Sequence, residues 1–371
     1  GWNKRGSYDG KNHIGYWKGH NNADDNKWIV RKVEEELIPH TTDNSVLGYV
    51  TYESAASMLP YVEIINSENL NKVKNAKFDV VVPKQGEFYR LKSQMANRYM
   101  TAESDAVKVY DDCNEQSTIF YVDADNTLLS YGFGRYLDCY NKVLSNVGTK
   151  YNGTFAKKCG VSYLPNVLAY NNNGAWTYGN KENAVSIDRG IGNQPIDEGY
   201  NWVFEPVTEI PVTISAVEYA TFYAPCNVTL PEGLTAYYVS NVGNGYATLT
   251  EVEGSVVPAN TGVLLKGNAN TYNLTIGGEA TEIENKLTGT VASEYINTTS
   301  YVLATTDVEG PGFYKASKNF AESDNGTFTK VNEGGTHFLN NGFKAYLPAS
   351  VVPSAARFLS FDFGTETAIE S

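Results

Sequence analysis

The sequence predicts an all-β chain, with a β-trefoil-like domain followed by a β-sandwich domain and a short helical connector near the N-terminus. Three observations predict this fold class. Tyrosine and glycine are abundant, at 27 and 33 of 371 residues, which favours strands joined by many turns. A motif of about forty residues recurs between Gly86 and Glu209. After Glu209, short apolar runs alternate with Pro, Gly or Asn at intervals of roughly ten residues.

The recurring motif predicts the β-trefoil. Each of its three units opens with a short apolar strand, continues through a turn rich in Gly and Asn, and returns in a strand that carries an aromatic residue. The opening strands are predicted at Phe88–Leu91, Thr127–Tyr131 and Asn166–Tyr170, and the aromatic residues are Tyr99, Tyr136 and Trp176. Three four-stranded units can close into a trefoil, whereas a propeller needs more of them. We also predict that Trp202, which closes the third unit, lies in the core.

The residues that carry this motif resemble a known family. The pattern FYRLK…RYMTA…STIFYVD…LLSYGFGRYL…NWVFEPV is similar to the ricin-B-like or MIR-like β-trefoil modules of large secreted Bacteroidetes proteins. The resemblance implies that an Asp and an Asn on the polar side of a unit bind sugar. Asp188 and Asn201 match these two positions approximately.

The C-terminal part carries a second resemblance. The segment from YATFYAPCNVTLP to LSFDFGTETAIES is similar to a sandwich domain that is common in secreted proteins of gut and oral Bacteroidetes. Strands are predicted in IPVTIS, YATFYAP, NVTLP, LTAYYVS, YATLTEVEG, TGVLLKG, TYNLTIG, SYVLAT, GFYKAS, GTFTKV, FKAYLP and ARFLSFDF. The resemblance implies no active site for this domain and a role as a spacer or stabilising module.

The N-terminal part predicts two further segments. Residues 1–40 repeat the pattern that closes at Trp202, with a Gly/Asn-rich run, an apolar pair beside a glycine, and Trp28 at the end. We interpret them as the remnant of a preceding trefoil-like repeat, or as a hairpin that packs on a complete domain. Residues 41–77 have a helical composition and predict the connector. The predicted domains are therefore 1–40, 41–77, 78–208 and 209–371.

Charge and hydropathy exclude several classes of partner. A net charge of −13 makes nucleic acid a poor partner, because phosphate binding needs a basic face. No run of about eighteen apolar residues is present, so we predict no membrane insertion. No signal peptide is visible, and we interpret the sequence as a piece of a longer secreted or cell-surface protein whose upstream domains are its partners.

The cysteines predict neither a zinc site nor a redox motif. Cys113, Cys139, Cys159 and Cys226 include no C-x-x-C pair. Two alternatives remain open for the first three, a single disulfide or thiols that behave as small buried apolar groups.

Catalytic motifs are also missing from the sequence. It contains no G-x-S-x-G elbow, H-E-x-x-H or P-loop, and the segment DADNTLLSYG lacks the Gly and the distant Glu of a calcium loop. We therefore predict no catalytic residue, no metal and no cofactor. A catalytic carboxylate pair stays open as an alternative, because the sequence does not show separation in space.

Glycan binding is the predicted chemistry. A sugar stacks its apolar face on an aromatic ring, and its hydroxyls bond to amides and carboxylates. The candidate residues are Trp176, Tyr178, Asp188, Asn193, Gln194 and Asn201 in the third unit, with Asp138 and Tyr140 in the second unit as the fallback. We predict a non-catalytic carbohydrate-binding or cell-surface adhesion fragment, accessory to an upstream enzyme. The alternatives are a purely structural spacer and a glycan hydrolase with an unrecognised active site.

Overall fold

The computed structural model divides into two compact units. The first contains Gly1–Leu128, Leu137–Leu144 and Tyr151–Pro206, and the second contains Leu129–Tyr136, Ser145–Lys150 and Val207–Ser371. The structure describes residues 83–93, 98–111, 115–124, 127–138, 143–147, 149, 202–297, 299–304, 310–353 and 356–364, and the backbone of 305–306. It also describes the backbone of strands at 2–8, 11–16, 48–52, 61–65, 153–156, 167–170, 174–178 and 185–189.

The described residues confirm the predicted all-β class. Their helical pieces are short 3-10 turns at Gln116–Thr118, Glu253–Ser255 and Ala349–Val351. The strands that precede Val207 are β1 (Trp2–Tyr8), β2 (Lys11–Tyr16), β3 (Gly48–Tyr52), β4 (Tyr61–Ile65), β5 (Phe88–Ser93), β6 (Tyr99–Ala102), β7 (Val107–Tyr110), β8 (Ile119–Val122), β9 (Leu128–Ser130), β10 (Arg135–Asp138), β11 (Val143–Leu144), β12 (Gly153–Ala156), β13 (Val167–Tyr170), β14 (Gly174–Tyr178), β15 (Val185–Arg189) and β16 (Trp202–Pro206).

Two strand pairs lie in the segments predicted as a repeat remnant and a helical connector. β1 pairs antiparallel with β2, and β3 pairs antiparallel with β4. The described part of 41–77 is therefore a strand pair, and the rest of the predicted connector lies outside the described residues. The sequences GYVTY and YVEII are rich in β-branched and aromatic residues, which pack well on a pleated surface and favour strands over helix.

The core of the first unit is built around β5. This strand pairs antiparallel with β16, β8 and β6, and β16 sets Trp202 opposite Ser93 and Phe204 opposite Leu91. Trp202, Phe204 and Leu91 are fully buried. The ring of Phe204 meets that of Tyr89 edge-on, with centroids 5.6 Å apart. The predicted core position of Trp202 is therefore confirmed.

The hairpin of β9 and β10 places its loop in the second unit. Ser130 pairs with Arg135, and the loop between them has the sequence YGFG. Tyr131 packs its ring 4.7 Å from that of Phe343 and donates a hydrogen bond of 2.9 Å to the carbonyl oxygen of Pro211. At the other end of the loop, the amide of Ser293 donates to the carbonyl oxygen of Gly134 at 2.7 Å.

The strands after Val207 form two larger sheets and three short pairs. They are β17 (Glu209–Ile214), β18 (Tyr219–Phe222), β19 (Val228–Thr229), β20 (Leu234–Val242), β21 (Tyr246–Glu251), β22 (Val256–Val257), β23 (Val263–Gly267), β24 (Asn270–Ile276), β25 (Thr288–Thr290), β26 (Glu294–Ile296), β27 (Tyr301–Thr306), β28 (Gly310–Lys315), β29 (Phe320–Glu322), β30 (Phe328–Lys330), β31 (Phe338–Asn340), β32 (Lys344–Tyr346) and β33 (Phe358–Asp362). Each apolar run predicted as a strand in this region contains one of them.

The two larger sheets of the second unit differ in size. The first has the order β17-β24-β19-β22, and the second has the order β18-β23-β20-β21-β33-β28-β27. Within the seven-stranded sheet, β33 pairs parallel with β21 and antiparallel with β28. One face of this sheet carries the buried side chains of Val239, Ala247, Leu249, Leu264, Phe313 and Leu359.

Candidate ligand-binding site

The predicted site of the third unit falls in a four-stranded sheet of order β12-β13-β14-β15. Trp176 and Tyr178 belong to β14, and Asp188 belongs to β15. The register pairs Trp176 with Ile187, and it pairs Asp188 with Ala175. In an antiparallel pair, opposed residues share a face and consecutive residues alternate between faces. Trp176 and Asp188 therefore occupy opposite faces of the strand pair.

Of the other residues predicted to bind glycan, only Asp138 lies within the described ranges. Asn193, Gln194, Asn201 and Tyr140 lie outside the described residues. Asp138 pairs with Val143 at the end of β10, and only 3% of its surface is exposed. This carboxylate is therefore shielded from a glycan in the solvent.

The described part of the chain shows neither a metal cluster nor a membrane helix. Within the described ranges, no three His, Cys, Asp or Glu side chains group closely enough to hold a metal ion. None of the helical segments in those ranges has the length and apolar composition that a membrane-spanning helix requires. Cys226 is a free thiol whose burial raises its pKa to about 11, so it stays protonated at neutral pH. The other three cysteines lie outside the described residues.

A group of aromatic residues around one lysine lies on the seven-stranded sheet of the second unit. We call it the aromatic–lysine patch, and its members are Tyr219, Tyr237, Lys266, Phe361 and Phe363. Tyr219 of β18 is paired with Lys266 of β23, and Phe363 directly follows β33. Three of its rings, those of Tyr219, Tyr237 and Phe361, also pack against the buried core of this unit. The patch is therefore a continuation of the core face at a more exposed end of the sheet.

The rings of the patch contact one another in tilted and edge-on arrangements. The centroid of Tyr237 lies 5.2 Å from that of Phe363 at an interplanar angle of 79°, and Tyr219 lies 5.3 Å from Phe361 at 60°. These distances and angles are those that aromatic quadrupoles favour. Phe363 keeps 40% of its surface exposed, which makes it one of the most exposed large apolar side chains in the described residues. The patch thus presents an exposed aromatic surface whose other rings pack against the buried core.

The polar groups of the patch lie among these rings. The Nζ atom of Lys266 is 5.7 Å from the ring centroid of Tyr219 and 5.4 Å from that of Phe363. Within the described ranges, Lys266 forms no ion pair, and the hydroxyls of Tyr219 and Tyr237 form no hydrogen bond. Burial raises the pKa of the Tyr237 hydroxyl. The carboxylate of Glu251 also raises this pKa, whereas the ammonium of Lys266 lowers it. This hydroxyl is therefore protonated and can donate at neutral pH.

The sequence pattern alone did not predict the patch. Its residues come from four strands and the residue after β33, and each is an ordinary period-two position in its own strand. One signal was present: SFDF closes the last predicted strand with two aromatic residues two positions apart, which places both on one face. The partners of that face could not be known without the strand order.

No protein-family model matches the chain, and no curated protein matches it.

Proposed function

We propose that this chain is a non-catalytic carbohydrate-binding or adhesion fragment, and that the aromatic–lysine patch is its principal glycan contact. One observation carries the proposal. An exposed phenyl ring lies 5.4 Å from an ammonium group and edge-on to the ring of Tyr237. Neither this ammonium nor the two tyrosine hydroxyls of the patch have an ion-pair or hydrogen-bond partner in the described residues. A pyranose presents an apolar face to such a ring, while the hydroxyls at its edge accept and donate hydrogen bonds.

The packing behind the rings supports this proposal energetically. Ordering a flexible side chain on binding costs about 0.5–1.5 kcal/mol of binding free energy. Tyr219, Tyr237 and Phe361 already pack against the core, so their rings lose little freedom when a ligand binds. A shallow surface of this kind suits weak, repeated contacts of the type that adhesion uses through many copies.

Replacing Phe363 with alanine is expected to weaken glycan binding by about tenfold, which is about 1.4 kcal/mol. The reason is the loss of the exposed ring on which the sugar stacks. The measurement is a glycan array on the whole chain, followed by titration of each hit into the wild type and the variant by calorimetry.

Tyr246 provides the matched control for Phe363. It is 39% exposed, close to the 40% of Phe363, and it precedes Ala247, whose side chain is buried on the core face. Because neighbours in a strand alternate, Tyr246 lies on the opposite face of the sheet. Tyr246→Ala should leave binding unchanged. Equal losses in both variants, or no hit on the array at millimolar glycan, would favour the structural spacer instead.

Replacing Asp188 with alanine tests the site predicted in β14 and β15. If a sugar binds the face that carries Asp188, the variant should lose about 1–3 kcal/mol of binding free energy, because hydrogen bonds to a charged group are left unmade. Stability should change by less than about 0.5 kcal/mol if the residue is exposed. Calorimetry and thermal unfolding measure the two effects. Unchanged binding would remove Asp188 from the site and leave the patch as the sole described contact.

The proposal includes a finer arrangement of the chain and its setting. We infer a ricin-B-like or MIR-like β-trefoil over 78–208, a β-sandwich over 209–371, and a helical connector in the part of 41–77 outside its two strands. We further infer a secreted or cell-surface protein of Bacteroidetes type in which this fragment accompanies an upstream enzyme. The sequence resemblances support these points, and the strand content after Val207 is compatible with a sandwich.

A further inference from the structure

We infer that the aromatic–lysine patch prefers saccharides that carry a carboxylate, and that Lys266 is the residue that determines this preference. This inference rests on the proposed function of the patch. It names the chemical class of the ligand, because a stacking ring and a hydroxyl alone do not distinguish acidic sugars from neutral ones.

The Lys266 ammonium is held against the rings of the patch. Its Nζ atom lies over two rings, at 5.7 Å from Tyr219 and 5.4 Å from Phe363. The side chain is half-buried, so its methylene stem is held along the sheet. No described carboxylate forms an ion pair with it. The positive charge is therefore held at the edge of an exposed ring, and no carboxylate among the described residues neutralises it.

The neighbouring carboxylate restricts where an anionic ligand can lie. Glu251 is paired with Tyr237 on the next strand, and its side chain is exposed. A bound carboxylate would be repelled from the Glu251 side of Tyr237 and attracted to the Lys266 side. A sugar stacked on Phe363 places its substituents around the ring, within reach of that ammonium. The arrangement selects one orientation of an acidic sugar.

The net charge of the chain limits how many negative charges a favoured ligand can carry. The net charge is −13, so the long-range field repels polyanions. At physiological ionic strength this field is screened over about 8 Å, and a charge in direct contact is screened much less. A ligand with a single carboxylate next to Lys266 therefore gains more net electrostatic binding free energy than a sulfated or polyuronic chain would. The favoured ligand is an oligosaccharide with one uronic acid residue.

The experiment compares two probes that differ only at this group. A glucose oligosaccharide and the same oligosaccharide with one terminal glucuronate are titrated into the full chain by calorimetry. The glucuronate probe should bind about tenfold more tightly, as expected for one charge-assisted contact. Lys266→Gln, which keeps a long polar side chain without the charge, should abolish the difference. Lys266→Arg should retain it, and raised salt should reduce it in the wild type.

The outcomes separate this inference from the proposed function. If Phe363→Ala weakens both probes but Lys266→Gln changes neither, the patch binds glycans and the preference for acids is wrong. If neither probe binds the wild type at millimolar concentration, both proposals fail. Sedimentation of the wild type and Phe363→Ala gives a further check. A dimer that dissociates on loss of this ring would make the patch a contact between copies and overturn the inference.

Discussion

Replacing Trp202 with alanine is expected to lower the free energy of unfolding of the first unit by about 3–5 kcal/mol, the range for removing a large buried aromatic side chain. Trp202 is 0% exposed and is the largest of the fully buried side chains in the described residues. It opens β16, which pairs with β5 through the full length from Ser93 to Tyr89. The void that alanine leaves therefore lies beside the central strand of this unit.

Urea denaturation followed by tryptophan fluorescence measures this effect. All five tryptophans of the chain belong to the first unit, so the fluorescence signal does not come from the second unit. Val203 supplies the matched control, because it is the next residue of β16, is half-buried and lies on the other face. Val203→Ala should cost about 1 kcal/mol or less. A loss below about 1 kcal/mol for Trp202→Ala would contradict its core role.

Replacing Gly342 with alanine is expected to destabilise the second unit by about 3 kcal/mol, the upper end for overpacking of a close contact. A Cβ atom on Gly342 would lie 2.6 Å from the Cα atom of Gly134 and 2.6 Å from the carbonyl oxygen of Val291. Both are backbone atoms, so neither can rotate out of the way. Relief of the clash would stretch the hydrogen bond from the Gly342 amide to the Ser293 hydroxyl, which is 2.9 Å long.

Hydrogen exchange over residues 290–343 measures this second effect, since the second unit holds no tryptophan. Gly326→Ala is the control for glycine replacement as such. Gly326 has a φ of +77°, but a Cβ added there would have no heavy atom within 4 Å, so alanine should cost only about 1 kcal/mol of backbone strain. Equal protection in the two variants would show that the approach of Gly342 to Gly134 can relax freely.

Much of the strand content was predictable because it depends on local pattern. Period-two alternation and turn residues act over a few positions, so FYRLK and LTAYYVS were identified as strands without any knowledge of their partners. The burial of Trp202 followed from the same kind of pattern, since it opens an alternating strand at the end of an apolar repeat. Gly48–Tyr52 and Tyr61–Ile65 are strands within the predicted helical connector, because the average composition of that segment hid two short runs of β-branched and aromatic residues.

The positions of most strands after Val207 follow from local sequence pattern, whereas the contacts between residues of different strands depend on the tertiary fold. Tyr131 in the loop of β9 and β10 packs on Phe343, which lies in a distant part of the sequence. Phe363 reaches Lys266 because β33 pairs in parallel with β21. This pairing joins strands far apart in the sequence, so local pattern does not predict it. Register decided the faces of Trp176 and Asp188 in the same way, because a shift of one residue moves every side chain to the other face.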